Sequence, residues 1–173
     1  MPHDVLIRSA QPGDCGWILQ AHGTSYSRDF GFNRAFEALV AEVIAGFLAH
    51  HDPRREAAWV AVDGTRRVGS VLCTAVTASR AQLRLLLVTP EAQGRGVGAA
   101  LVTHCLRFAQ GAGYESIELW TNDVLTDARR LYERFGFQIT ERTPHNRFGP
   151  PMVGETWVKD FDGRATAATS EDG

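Results

Sequence analysis

The stretch "LRLLLVTPEAQGRGVGAALV", residues 83–102, decides how the rest of the chain is read. An apolar run ends at Thr89-Pro90, glycines recur at Gly94, Gly96 and Gly98, and a helical pattern opens at Val97. Residues 97–112 place Val97, Leu101, Cys105, Phe108 and Ala112 on one helical face. The run before the turn is apolar on both faces near its end, as a central strand is. Glycine has no Cβ, so the backbone N–H groups of such a turn can converge and meet a ligand closely. The helix start adds unsatisfied donors and the positive end of its dipole. Together these suit a pyrophosphate.

Upstream, "DVLIRSA" (4–10) is a strand, and Asp14 is placed to cap a short helix around Trp17, Ile18 and Ala21. "HGTSYSRDFGF" (22–32), rich in aromatic and small polar residues, is expected as a loop. Asn33 caps a long helix whose apolar positions include Phe36, Leu39, Val40, Val43, Ile44, Phe47 and Leu48. "AAWVAVD" (57–63) and "RVGSVLCTAV" (67–76) form a hairpin about Gly64-Thr65, and "AQLRLLLVTP" (81–90) is the fourth strand. Downstream, "SIELWT" (116–121) is a fifth strand. A helix then aligns Leu125, Ala128, Leu131, Tyr132 and Phe135, with Gly136 as its stop. "FQITERT" (137–143) and "GETWVKDF" (154–161) are the last strands, separated by a loop, "TPHNRFGPP" (143–151).

The order β-α-α-β-β-β-α-β-α-β-β predicts one α+β (α/β layered) domain over residues 1–161. Its mixed central sheet has about seven strands flanked by about four helices. Residues 162–173, "DGRATAATSEDG", are small and polar and are expected as a disordered tail. With 173 residues the chain can bury a sizeable core, and its net charge of −2 gives no reason to expect a nucleic-acid or membrane partner. Cys15, Cys73 and Cys105 form no CxxC pair and are expected as free, buried thiols of a cytoplasmic protein. No apolar run approaches the roughly 20 residues that span a bilayer.

Three explanations of the glycine segment remain open on its own letters. Besides the pyrophosphate cradle, "GRGVGA" fits the dinucleotide pattern G-x-G-x-x-A, with Glu118 about twenty residues on. A glycine-rich helix entry with no ligand is the third. Context weighs against the dinucleotide pattern, which belongs after the first strand of a βαβ series. Here three strands precede the motif, and Glu118 lies in mid-strand. No G-K-[ST] supports a triphosphate site.

"LVTPEAQGRGVGAALV" resembles the acyl-CoA-binding motif of the GNAT family of N-acetyltransferases, with Gln93, Gly96 and Gly98 at the motif positions. "ARRLYERFGF" (128–137) resembles that family's second signature, a helix carrying a tyrosine and closing in Gly-Phe. The element order is similar to the GNAT fold over roughly residues 4–161. "PGDCGWILQAHG" (12–23), "LWTNDVL" (119–125) and "VGETWVKDF" (153–161) are similar to acetyltransferase domains fused to MarR-type regulators. No winged-helix segment precedes them here, so a DNA-binding role is not expected.

The resemblance implies an acetyltransferase that uses acetyl-CoA, no metal and an amine acceptor, with a homodimer possible through the terminal strands. Main-chain groups of Leu86, Leu87 and Val88 would meet the pantetheine arm. The backbone of Gln93, Gly94, Arg95, Gly96, Val97, Gly98 and Ala99 would hold the pyrophosphate, and Asn122 would serve on the cofactor side. Tyr132 would protonate the leaving thiolate; on spacing alone it is equally a core tyrosine.

Many relatives place a glutamate where this chain has Trp120, and an asparagine where it has Leu125. Glu118 is the leading candidate for the base. His22, Tyr26 and Phe30 would wall the acceptor pocket, or only pack their loop. His145 and Arg147 are further candidates on the late loop. The alternative function is a non-catalytic acyl-CoA-binding or sensor module.

Overall fold

A computed structural model describes residues 4–161. In chain order the elements are β1 (Leu6–Ser9), α1 (Asp14–Phe30), α2 (Arg34–His50), β2 (Ala57–Asp63), β3 (Arg66–Ala75) and β4 (Arg80–Val88). A 3-10 turn (Pro90–Ala92) leads to α3 (Val97–Gly111), β5 (Ser116–Asn122), α4 (Thr126–Arg134), β6 (Gln138–His145) and β7 (Met152–Asp160). The seven strands form one sheet in the order β1-β2-β3-β4-β5-β7-β6. Every neighbouring pair is antiparallel except β4–β5, which α3 joins as a crossover. The expected mixed sheet of seven strands and four helices is therefore the fold. The expected tail, residues 162–173, lies outside the described residues.

Each face of the sheet carries its own core. Ile18, Val40, Ile44 and Phe47 of α1 and α2 pack on Val60 and Leu72. On the other face Leu101, Val102 and Cys105 of α3 pack on Val71, Leu83, Ile117 and Trp157, and Tyr132 of α4 joins them. All three cysteines are free and buried, as expected. Among the described residues no helix is long and apolar enough to cross a membrane.

Three boundaries differ from the sequence expectations. The supposed loop at 22–32 is helical to Phe30, and α1 ends on Gly31 in the left-handed region (φ 69°), whose N–H donates to Ser27 O. Small polar residues misled the expectation. The stripe His22, Tyr26, Phe30 carries the helical spacing of four, and His22 stacks on Tyr26 at 5.7 Å between ring centroids. The late loop begins later than expected, because β6 runs through Pro144 to His145. Proline is tolerated there because β6 is an edge strand.

Asp14 is the first residue of α1 rather than its cap; the cap is Gly13, at φ 92°. The Asp14 carboxylate accepts the Gln11 N–H at 2.6 Å and pairs with Arg8 at 2.6 Å and Arg67 at 2.7 Å. Burial alone would raise its pKa, but the hydrogen bonds from Arg8, Gln11 and Arg67 outweigh that and hold it at about 2. A depressed carboxyl stabilises the fold fully above its ordinary value of 3.8 and loses that contribution as pH falls toward 2. Urea unfolding followed from pH 5 to pH 2 should therefore show a decline that Asp14→Asn, already less stable at pH 5, lacks.

Candidate active site

Strands β4 and β5 pair only at Arg80↔Ser116, Ala81↔Ile117 and Gln82↔Glu118. Beyond Gln82 they part, leaving a wedge in the middle of the sheet. A bulge in β4 accompanies the parting. Ser70 faces Leu87 and Leu72 faces Arg84, so Val71 alone opposes both Leu85 and Leu86. Leu85 sits at φ 53°, and Ser70 Oγ donates to its carbonyl at 2.8 Å. A leucine in the left-handed region costs on the order of 1 kcal/mol, a strain often found beside functional sites. Across the bulge Leu85 joins Arg84 on the side of α1 and α2, while Leu86 packs with the opposite core.

A cavity of about 110 Å³ occupies the wedge and is lined from both faces of the sheet. His22, Tyr26 and Phe36 close it on the α1–α2 side, and Leu83, Leu86 and Tyr132 line it on the other. Trp120, Asn122 and Leu125 also reach it. Trp120 lies against Gly154, where an added Cβ would fall 2.9 Å from the indole. Asn122 Oδ1 accepts from His145 Nε2 at 2.7 Å, while His145 Nδ1 accepts the Arg147 N–H at 3.2 Å. These two bonds fix the tautomer of His145 and tie the late loop to the cavity wall.

Tyr132 is 5% exposed, its ring set edge-on to Phe137 and Trp157. Its hydroxyl makes no hydrogen bond among the described residues. Burial, then the neighbouring Tyr26 and Cys105, push its pKa far above the usual phenol value. The phenol is therefore protonated at every physiological pH and available as a donor. No cysteine lines the cavity, and no cluster of His, Cys, Asp or Glu among the described residues could hold a metal.

The glycine segment opens at the end of β4. Gly94 and Gly96 are both left-handed, at φ 76° and 77°, with open space where a Cβ would stand. Gly96 is the N-cap of α3 and has no side-chain cap. Ala100 N–H donates the first helical bond, to Gly96 O, so the N–H groups of Val97, Gly98 and Ala99 have no acceptor within the helix. That is the arrangement a pyrophosphate needs. Gly98 has a different reason to be glycine, since a Cβ would lie 3.2 Å from Leu131 of α4. Arg95 is held by Asp63 at 2.7 Å, and Gln93 Nε2 donates to Val88 O at 3.2 Å.

Thr89 N–H donates to Val68 O, which makes Gly69–Val88 a wide pair of the β3–β4 ladder. The Val88 N–H therefore points away from β3 toward the wedge, and Leu87 spends its main-chain groups on Ser70. Of the three residues expected to meet the pantetheine arm, Leu87 is thus engaged with β3 and Val88 turns its N–H to the wedge.

The sequence and the fold match known proteins. The family described as "Acetyltransferase (GNAT) family" matches residues 20–137, more than half of the chain. The chain belongs to the GNAT acetyltransferase family. It is 29% identical over 126 residues to the peptidyl-lysine N-acetyltransferase YjaB of Salmonella typhimurium, covering 72% of this chain and 76% of that protein. It is 33% identical over 112 residues to N-acetyltransferase family 8 member 2 of Rattus norvegicus, covering 62% and 48%. The chain thus spans about half the length of that relative. In fold it resembles yncA, a putative acetyltransferase from Salmonella typhimurium solved with acetyl-CoA. The TM-score is 0.73 at 18% identity, covering 93% of this chain and 96% of that one.

Within this GNAT chain, His22, Tyr26, Leu86, Asn122 and Tyr132 meet at one cavity. Phe30 does not reach it; it packs against Tyr26 and Phe32. Glu118 is outside the lining too, two residues from Trp120 on the same strand face and paired across the sheet with the lining Gln82. Two features were not singled out from the sequence. Arg84 faces the cavity by strand alternation, on the same side as its cross-strand partner Leu72. Glu155, fully buried on β7, takes Arg129 at 2.8 Å and Arg142 at 3.2 Å, tying α4 to the sheet one turn before Tyr132.

Proposed function

We propose that this chain transfers an acetyl group from acetyl-CoA to an amine by direct attack on the thioester. The observation that carries this is the unbonded Tyr132 hydroxyl in a cavity lined by Leu83–Leu86 of β4, the strand that leads into the glycine cradle. The residues present fit the cosubstrate. Gly94, Gly96 and the free N–H groups of Val97, Gly98 and Ala99 would hold the pyrophosphate, with Gln93 and Arg95 beside them. Leu86 and the Val88 carbonyl would pair with the pantetheine arm, with Leu87 fixing their register from behind. Asn122 would line the cofactor side.

The amine nitrogen attacks the thioester carbonyl carbon, and the developing oxyanion is met by the Val88 N–H. Collapse breaks the carbon–sulfur bond, and the thiolate takes the proton of Tyr132. The proton leaving the amine passes through water to Glu118. Trp120 and Leu125, standing where many relatives carry polar groups, support a second reading as a non-catalytic acyl-CoA-binding module. We place the chain nearest the acetyltransferase domains fused to MarR-type regulators, as a cytoplasmic protein whose β6 edge would pair in a homodimer. Thiol release from acetyl-CoA across an amine panel, matched mole for mole by acetylated amine, tests the main reading. Binding of acetyl-CoA with no release for any amine would leave the second.

A further inference from the structure

Arg84 immediately precedes the bulge of β4, paired with Leu72, and lines the cavity on the α1–α2 side. Its guanidinium makes no hydrogen bond and no ion pair among the described residues. Every other lining residue is neutral. Glu42 of α2 acts on it from beyond ion-pair range. A half-buried cation left without a partner is costly, because desolvation is not offset.

His22 supplies a second, independent group at the same cavity. It is 2% exposed, and its Nδ1 lies 2.8 Å from Ile18 O. A carbonyl only accepts, so Nδ1 carries the hydrogen and Nε2 is a lone pair. That buried Nε2 has no partner. Burial holds His22 at about 4, so it is neutral at physiological pH and the lone pair persists. Arg84 thus brings one positive charge to the cavity, and the lining His22 holds a fixed, unpartnered lone pair on its buried Nε2.

We infer that the acceptor is a small amine that itself carries a carboxylate, the carboxylate meeting Arg84 and an N–H of the acceptor meeting His22 Nε2. A carboxylate suits the fork of a guanidinium. A single negative charge suits this place better than a phosphate dianion, since Glu42 already contributes a negative field. The apolar lining of Phe36, Leu39 and Val43 favours an apolar side chain on that acceptor. The inference rests on the transferase reading of the cavity.

Two readouts test it on the full chain. In turnover, leucine, methionine and phenylalanine should exceed their decarboxylated amines by at least tenfold in kcat/KM. Arg84→Met should abolish that preference with acetyl-CoA affinity unchanged. His22→Phe, which keeps the stack on Tyr26, should raise KM for every amine. In binding, the CoA-loaded protein should hold N-acetylleucine at least tenfold tighter than N-acetylleucinamide in calorimetry. Turnover without a carboxylate preference would overturn the inference and leave the transferase. Preferential binding of N-acetylleucine with no turnover of any amine would keep the anion site and overturn the transferase. Neither preference nor turnover would overturn both.

Discussion

Tyr132→Phe is expected to lower kcat by about 10²- to 10⁴-fold, the usual worth of a positioned general acid, with the affinity for acetyl-CoA within about twofold of wild type. The ring stays in place in the variant, because Phe fits the same edge-on contacts with Phe137 and Trp157. The fold is therefore undisturbed and the loss reports the hydroxyl. Steady-state rates with calorimetric binding of acetyl-CoA separate the two effects. A fall in kcat with intact binding marks an interaction made in the transition state. Equal turnover would return Tyr132 to the role of a core tyrosine, which its place on the apolar stripe of α4 fully allows.

Glu155→Gln should cost about 3 kcal/mol and lower the melting temperature by on the order of 10 °C. The carboxylate is fully buried, and its removal leaves Arg129, with 28% of its side chain exposed, beside an uncharged neighbour. Arg142 is 54% exposed and can turn to solvent, which keeps the cost at the lower end of the range for a broken buried pair. The ion pair fixes α4 against β7, and Tyr132 follows Arg129 by three residues. A loss of kcat should therefore accompany the loss of stability. Replacing both partners, Arg129→Met with Glu155→Leu, should recover part of the stability, because no buried charge is then left alone. Thermal unfolding of the single and double variants checks this.

The elements that periodicity marks were legible in the sequence. The apolar spacing of α2 and α3, the Asn33 cap, whose Oδ1 accepts the Ala35 N–H at 2.9 Å, and the Gly64 turn all stand where their patterns put them. The glycine cradle was legible too, because left-handed backbone is what Gly94 and Gly96 are for. The second half of α1 was not legible, since Gly23, Thr24, Ser25 and Ser27 carry loop composition. There helix is favoured by packing, with Gly23 closely opposite Glu37 of α2.

What the sequence hides is whatever depends on register. A run of leucines says nothing of which one sits at φ 53°, and that bulge is what brings Leu85 onto the same face as Arg84. The buried pairing of Glu155 with Arg129 joins residues 26 positions apart and leaves no local pattern. The same is true of the His22 tautomer, which depends on a carbonyl one helical turn away.

The most direct test of the central claim, that the glycine turn and the β4 wedge form an acyl-CoA site, is thermal unfolding with acetyl-CoA, CoA and NADH at equal concentration. A ligand at about a hundred times its dissociation constant stabilises by roughly 2.7 kcal/mol, a shift on the order of 5–10 °C at this chain length. Such a shift is expected with acetyl-CoA and with CoA, and none with NADH. A shift with NADH alone would contradict it, giving the glycines to a dinucleotide and leaving Tyr132 without a thioester to act on.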